Sequence, residues 1–194
     1  LADRIREEKT KMTHRALYMS TAAVFLAGCA ALMNQFSSLG VVSDQKSEID
    51  GSEVVEVSRN RVVGNGGMSS FEGAMLGARW ESVRPEIVDV FVTYTSSANA
   101  EPIVIEFDEL RVNVNGNITS FKPVAPGKIT MPLAYLESML SADTCKLQLI
   151  RGANVTEGDF AIASDAGNPT AKASLRRFYD KVQAVKAERM AKQL

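Results

Sequence analysis

The sequence predicts an α+β domain: an antiparallel β-sheet or sandwich, one short helix, and a carboxy-terminal amphipathic helix packed against it. Three observations predict it. Residues 86–95 (EIVDVFVTYT) are β-branched and aromatic almost throughout, the composition of a strand. Asn115-Gly116 stands between two alternating apolar runs, and both residues accept the positive φ of a tight hairpin. Leu175, Phe178, Val182 and Val185 recur at spacings of three and four, which makes one apolar stripe on a helix.

The elements follow in order. Residues 53–57 alternate as a strand, and residues 74–83 form a second, containing the single tryptophan, Trp80. In residues 86–95, Val88, Val90, Val92 and Tyr94 share a face. Residues 96–100 are a polar turn. In residues 102–107 (PIVIEF), Ile103, Ile105 and Phe107 share a face. Leu110, Val112 and Val114 alternate with Arg111, Asn113 and Asn115, and residues 118–121 return after the hairpin. Residues 131–140 change period: Pro132 suits a first helical turn, with Leu133, Leu136 and Leu140 on one side. Residues 146–150 and 156–163 read as strands. Asn168-Pro169 reads as cap and first position of the last helix, whose other face carries Arg176, Arg177, Lys181 and Lys186. The run from residue 86 to 121, strand, loop, strand and hairpin, resembles an immunoglobulin-like sandwich.

Ahead of this domain the texture changes. Lys9, Lys11 and Arg15 precede an apolar run, Ala16–Ala27, that ends in small residues, the layout of a secretory signal. The run is 12 residues, where a spanning helix needs about 20. Within it, Ala22 to Leu26 is apolar on all sides, unlike a helix with one buried stripe. Leu26-Ala27-Gly28-Cys29 resembles the lipobox of bacterial lipoprotein precursors. The resemblance spans residues 12–29. It implies diacylglycerol on the Cys29 thiol, cleavage after Gly28 and an acylated new amine. Ala30 rather than Asp after the cysteine implies sorting to the outer membrane, facing the periplasm, if the source is Gram-negative. Translation is expected to start at Met12, the polar residues before it being an upstream misassignment. The expected organisation is therefore a signal peptide over 1–28, the lipidated cysteine and a Ser-, Asp- and Gly-containing tether over 29–52, and one globular domain over 53–194.

Composition narrows the function. The only histidine, His14, precedes Cys29, so the mature chain would lack histidine-assisted triads and imidazole metal sites. No metal and no cofactor are expected. With lipid on Cys29, Cys145 would have no cysteine partner in the chain. Five of the 22 Lys+Arg and three of the 23 Asp+Glu precede Cys29, which leaves a net −3 and no basic excess for nucleic acid.

The remaining motifs each have a bland reading that competes with a chemical one. Gly64-Asn65-Gly66-Gly67 is a loop that does not lead into a helix, so it lacks the context of a phosphate cradle. Ser43 and Lys46 match Ser-x-x-Lys without its partner motifs. Glu106 and Asp108 share a strand face, as do Glu157 and Asp159. Solvated sheet faces explain both pairs, while paired carboxylates facing one cleft would suit glycoside hydrolysis. Cys145 lies with Leu147 and Leu149 on a core face. Trp80 reads as a core anchor, and with Arg79, or as Tyr94 and Tyr135 do, it is also a candidate surface for sugars.

No catalytic constellation emerges. The expectation is a non-enzymatic envelope lipoprotein, held to a membrane through Cys29, that binds or scaffolds another envelope protein or a cell-wall component. Its contact face is expected on Arg176, Arg177, Lys181 and Lys186. Two alternatives stand beside it: an envelope hydrolase acting on wall glycan or lipid through Glu106 and Asp108, and a module whose basic helix binds anionic headgroups.

Overall fold

The structure, a computed structural model, describes residues 39–64, 74–94, 103–160, 164–165 and 168–193. The elements run β1 (Val42–Lys46), β2 (Glu53–Arg61), β3 (Val63–Gly64), β4 (Ala74–Glu81), β5 (Ile87–Tyr94), β6 (Ile103–Val104), β7 (Glu109–Val114), β8 (Asn117–Phe121), β9 (Lys128–Pro132), α1 (Leu133–Ser141), β10 (Cys145–Arg151), β11 (Asn154–Asp159), β12 (Ser164–Asp165), β13 (Asn168–Pro169) and α2 (Ala171–Gln193). The fold is α+β and sandwich-like, as the alternation of apolar and polar residues predicts.

The first sheet has the order β1-β2-β4-β5, and the far edge of β5 is shared by two strands. β9 pairs with Ile87–Phe91, and β6 pairs with Thr93 and Tyr94. The second sheet has the order β3-β11-β10-β7-β8, and every pairing in both sheets is antiparallel. The chain thus leaves the first sheet after β6 and enters the second at β7. β12 and β13 pair only with each other.

Register decides what each face of the first sheet carries. Val55, Trp80, Val88 and Met131 lie in one cross-strand row, and Val57, Ala78, Val90 and Ile129 in the next; all eight are buried. The row between them points the other way and reads Glu56, Arg79, Asp89, Thr130. The second sheet contributes Leu110, Val112, Cys145, Leu147 and Leu149 to the same core cluster. α1 adds Leu133, Leu136, Met139 and Leu140. α2 lies on β2, β4 and β1 and adds Leu175, Phe178, Val182 and Val185. Each fully buried aliphatic or aromatic side chain of this kind contributes roughly 1.5–3 kcal/mol.

Trp80 is a core anchor. Its indole N–H donates to the Pro85 carbonyl at 3.0 Å, which satisfies the one polar atom it buries. Asn115 and Gly116 both have positive φ, 50° and 91°, and close the β7–β8 hairpin as expected.

Several expectations are corrected. The tether expected over 29–52 is not a tether past Ser38: the folded unit starts at Leu39, and residues 42–46 are a full edge strand, β1, paired with β2. The Ser, Asp and Gly residues that suggested a spacer build the β1–β2 turn instead. The Ser47 hydroxyl accepts from the Ile49 and Asp50 amides, Asp50 accepts from the Ser52 amide at 3.0 Å, and Gly51 takes φ 67°. Hydrogen bonds from Ser47 and then Ser52 pull the Asp50 carboxyl down to about 2. Ser43 and Lys46, three apart on β1, point to opposite faces and cannot form a Ser-x-x-Lys pair.

Met131 belongs to β9 rather than to a helix. Pro132 is extended (φ −60°, ψ 138°), and α1 begins at Leu133, whose amide donates to the Glu86 carbonyl. The strand expected over 102–107 shrinks to Ile103–Val104, and Ile103 is exposed while Phe107 is buried. Asn168 and Pro169 pair with β12, and Thr170 caps α2: its hydroxyl accepts from the Ala173 amide at 3.4 Å. The signal-peptide and lipobox positions, Leu26, Ala27, Gly28 and Cys29, lie outside the described residues, as do Asn65, Gly66 and Gly67.

Candidate binding clefts and the basic helix

The helix expected to meet a partner is positioned by its own sequence. The stripe from Leu175 to Val185 faces the sheet, so the long basic side chains emerge along its flanks, over the acidic rim of β1, β2 and the β4–β5 turn. Lys181 pairs with Asp44 at 3.0 Å, Lys186 with Glu86 at 2.8 Å, and Arg189 with Glu53 at 3.7 Å. Arg177 donates to the Gly40 carbonyl at 3.1 Å and to the Ser174 hydroxyl at 3.3 Å. Arg176 is half-buried beside Tyr179. Arg177, Lys181 and Lys186 therefore hold the helix to the sheet and to the strand that leads into it. A free basic face of the kind expected for headgroups is not what the fold presents.

The first turn of α2 is locked more deeply. The buried Asn60 amide donates to the Ser174 hydroxyl at 2.6 Å and to the Thr170 carbonyl at 3.3 Å. A β-bulge between Val57 and Asn60 turns Asn60 onto the helix side of β2.

At the end of the sandwich where β5 meets β6, two clefts adjoin. The larger, about 590 Å³, is lined by Glu106, Asp108, Val124, Arg151, Gly152 and Asn154 among others. The second, about 380 Å³, is more apolar and is lined by Ala74, Tyr94, Ile103, Ile105, Leu149 and Thr156 together with Glu106 and Arg151. Glu106 and Arg151 border both. Tyr94 and Ile103 come together because they are register partners, and Leu149 and Thr156 because they are partners across β10–β11.

The two carboxylates singled out in the sequence do share a cleft. Both are exposed, and Asp108 accepts the Gly152 amide at 2.6 Å. A glycosidic general acid is kept protonated by burial or by a close like charge. Here the carboxylates stand in water and share their cleft with a guanidinium, which suits binding a polar or basic group more than proton transfer. Glu157, the other candidate, accepts from Gln148 at 2.9 Å on the outer face of the second sheet.

The remaining candidates fall into the core. Cys145 is fully buried, and burial pushes its thiol up to about 12, so it is no nucleophile at neutral pH. Tyr135 packs edge-on against Phe121, with centroids 5.1 Å apart. Trp80 is internal, and Arg79 pairs with Glu81 and Glu56. Among the described residues no group of three His, Cys, Asp or Glu converges as metal ligands. Among them, too, no helix is long and apolar enough to cross a membrane.

Sequence reasoning missed that Arg151 borders the same two clefts as Glu106, and it missed the exposure of Ile103, Val104 and Val124. The signal present was the run from Ile103 to Ile105, apolar on both faces, which a half-buried strand does not need. Compared with protein-family models, with curated proteins and with solved structures, the chain matches none significantly.

Proposed function

We propose that this chain is a lipoprotein of the bacterial cell envelope, anchored through acyl chains on Cys29, whose sandwich domain binds or scaffolds another envelope component without catalysis. The observation that carries the proposal is Leu26-Ala27-Gly28-Cys29, placed directly after a basic start and a 12-residue apolar run. Two or three acyl chains, at about 0.8 kcal/mol per buried CH₂, give a stable anchor.

The start of the folded unit adds a distance. Leu39 is ten residues beyond Cys29, so the connecting chain spans at most about 35 Å. A domain held in so thin a layer meets membrane partners at a high effective concentration. The adjoining clefts around Glu106 and Arg151, the larger mostly polar and the smaller half apolar, are the concave surface we assign to a ligand.

The test is Cys29→Ala in cells. The account expects an uncleaved or mislocalised precursor, while the unaltered chain fractionates with membranes and carries acyl groups. Normal processing and membrane retention of the variant would overturn it. Crosslinking of the anchored chain, with mass spectrometry of its neighbours, then identifies the partner. Carboxylate-based hydrolysis has weaker support, since both carboxylates are exposed.

A further inference from the structure

We propose that the β5–β6 end of the sandwich faces the lipid bilayer, with Ile103, Val104 and Val124 dipping into the headgroup boundary. This rests on the lipoprotein reading and adds an orientation to it.

Three observations carry it. The first is exposure. Ile103 is 63% exposed, Val104 52% and Val124 61%, large apolar side chains held in water by well-formed backbone. Ile103 and Val104 are consecutive on the edge strand β6, with side chains on its two faces, and Val104 lies against Gly127 in the turn that carries Val124. The turn carrying Val124 is closed by its amide on the Lys128 carbonyl at 2.8 Å and is tied to β5 by the Val92 amide on the Gly127 carbonyl at 2.7 Å. Val104 fills the space over Gly127, whose φ of 65° and missing side chain let the turn and β6 touch.

The second is where the chain enters the domain. Gly40 lies opposite Arg59, its amide on the Arg59 carbonyl at 3.2 Å, and the Val62 amide bonds to the Ala74 carbonyl. Ala74 is the register partner of Tyr94, and Tyr94 of Ile103. Leu39 and the patch are therefore at the same end of the first sheet, separated by four strand spacings, about 19 Å, across it and about 10 Å along it. The ten residues back to Cys29 reach further than that, so an anchor in the bilayer and this patch on its surface are compatible.

The third is charge. Among the described residues, the exposed charged side chains around the patch are Lys122, Arg151, Glu106 and Asp108, two of each sign. Anionic headgroups neither draw nor repel this end strongly. The acyl anchor recruits the domain, and apolar contact orients it. Immersion should therefore be insensitive to salt, unlike docking through a basic face.

The test uses the full, acylated chain purified from membranes and reconstituted in phosphatidylethanolamine–phosphatidylglycerol vesicles. Single cysteines are introduced by Ile103→Cys, Val104→Cys or Val124→Cys, and as controls by Val83→Cys, Ile118→Cys or Met190→Cys, which are similarly exposed elsewhere. Each is labelled with a nitroxide; Cys145 is buried and stays silent. The expected result is that labels at 103, 104 and 124 collide with oxygen and are several-fold shielded from a water-soluble nickel chelate, while the controls are not, at low and high salt alike. Equal water exposure at all six sites, or shielding at a control site instead, overturns the orientation. Shielding in native membranes but not in pure lipid also overturns it, since the occupant is then a protein. Absence of acyl mass on Cys29 in the same preparation overturns the lipoprotein reading beneath it.

Discussion

Gly40→Ala tests the claim that the folded unit begins at Leu39 rather than at the end of a long tether. Gly40 has φ 66°, a conformation that costs a residue with a side chain about 1–2 kcal/mol. The added methyl would also lie 2.8 Å from the Asn60 amide nitrogen and 2.9 Å from Ser174 Cβ, with the Ser174 hydroxyl nearer still. Overpacking of that kind costs roughly 1–3 kcal/mol. Pushing Ser174 away strains the 2.6 Å bond from Asn60, a loss of about 1 kcal/mol. The total is roughly 3–6 kcal/mol, limited only by the alternative of peeling residues 39–46 off the sheet.

Gly51→Ala is the control. Its φ of 67° carries the same backbone strain, but nothing lies within 4 Å of its added methyl. Urea unfolding by circular dichroism should show Gly51→Ala about 1–2 kcal/mol down and Gly40→Ala about 2–4 kcal/mol below that. With a slope of roughly 2 kcal/mol per molar, the extra drop in midpoint is about 1–2 M. If β1 peels instead, the drop is smaller and the amides of residues 42–46 lose hydrogen-exchange protection. Equal effects of the two variants, with β1 protection intact, would refute the docking of Gly40 against α2.

Asp89 sits under Arg84 at 3.1 Å, Lys128 at 3.4 Å and the Thr130 hydroxyl at 2.8 Å. Burial disfavours its charge, but the Thr130 and Arg84 hydrogen bonds and the two cations outweigh burial and hold the carboxyl below the usual carboxylate range. A lowered folded value means stability present above the unfolded value, about 3.9, and lost as pH falls through the folded one. Asp89→Asn should therefore cost roughly 2 kcal/mol at neutral pH, and urea titrations should find that difference shrinking as the pH falls below the ordinary carboxylate range; a pH-independent difference would contradict the ion pairing. Cys145 should resist maleimide in the native state and react on unfolding, and fast native labelling would place it outside the core. Lys181→Glu should cost under about 1 kcal/mol, an effect that fades at high salt; a larger, salt-independent loss would mean the helix is held otherwise than through Asp44.

The parts of the fold legible in the sequence were those with a strong period and an unambiguous partner. The 86–95 run, the Asn-Gly hairpin and the Leu175–Val185 stripe all form the elements their patterns dictate, because their buried faces cannot be satisfied any other way. The missed elements share a cause. Serine, aspartate and glycine mark both a tether and a tight turn, and only the pairing of Val42–Lys46 with β2 distinguishes the two. Residues 128–132 alternate for too few positions to stand out beside a proline that also suits a helix start. For the clefts, Glu106 and Asp108 were visible as a pair, but Arg151 is more than 40 residues away along the chain. The strand register that brings it near Glu106 is not written in any local pattern. The basic face of α2 was readable as a face, yet its acidic partners Asp44, Glu53 and Glu86 sit on three separate segments.

The most direct measurement on the central proposal is mass spectrometry of the tryptic amino-terminal peptide recovered from the membrane fraction. The account predicts a peptide from Cys29 to Lys46 carrying diacylglycerol on the thiol and an acyl group on the amine. An unmodified peptide from Ala16 to Lys46, with Cys29 internal and free, would contradict it.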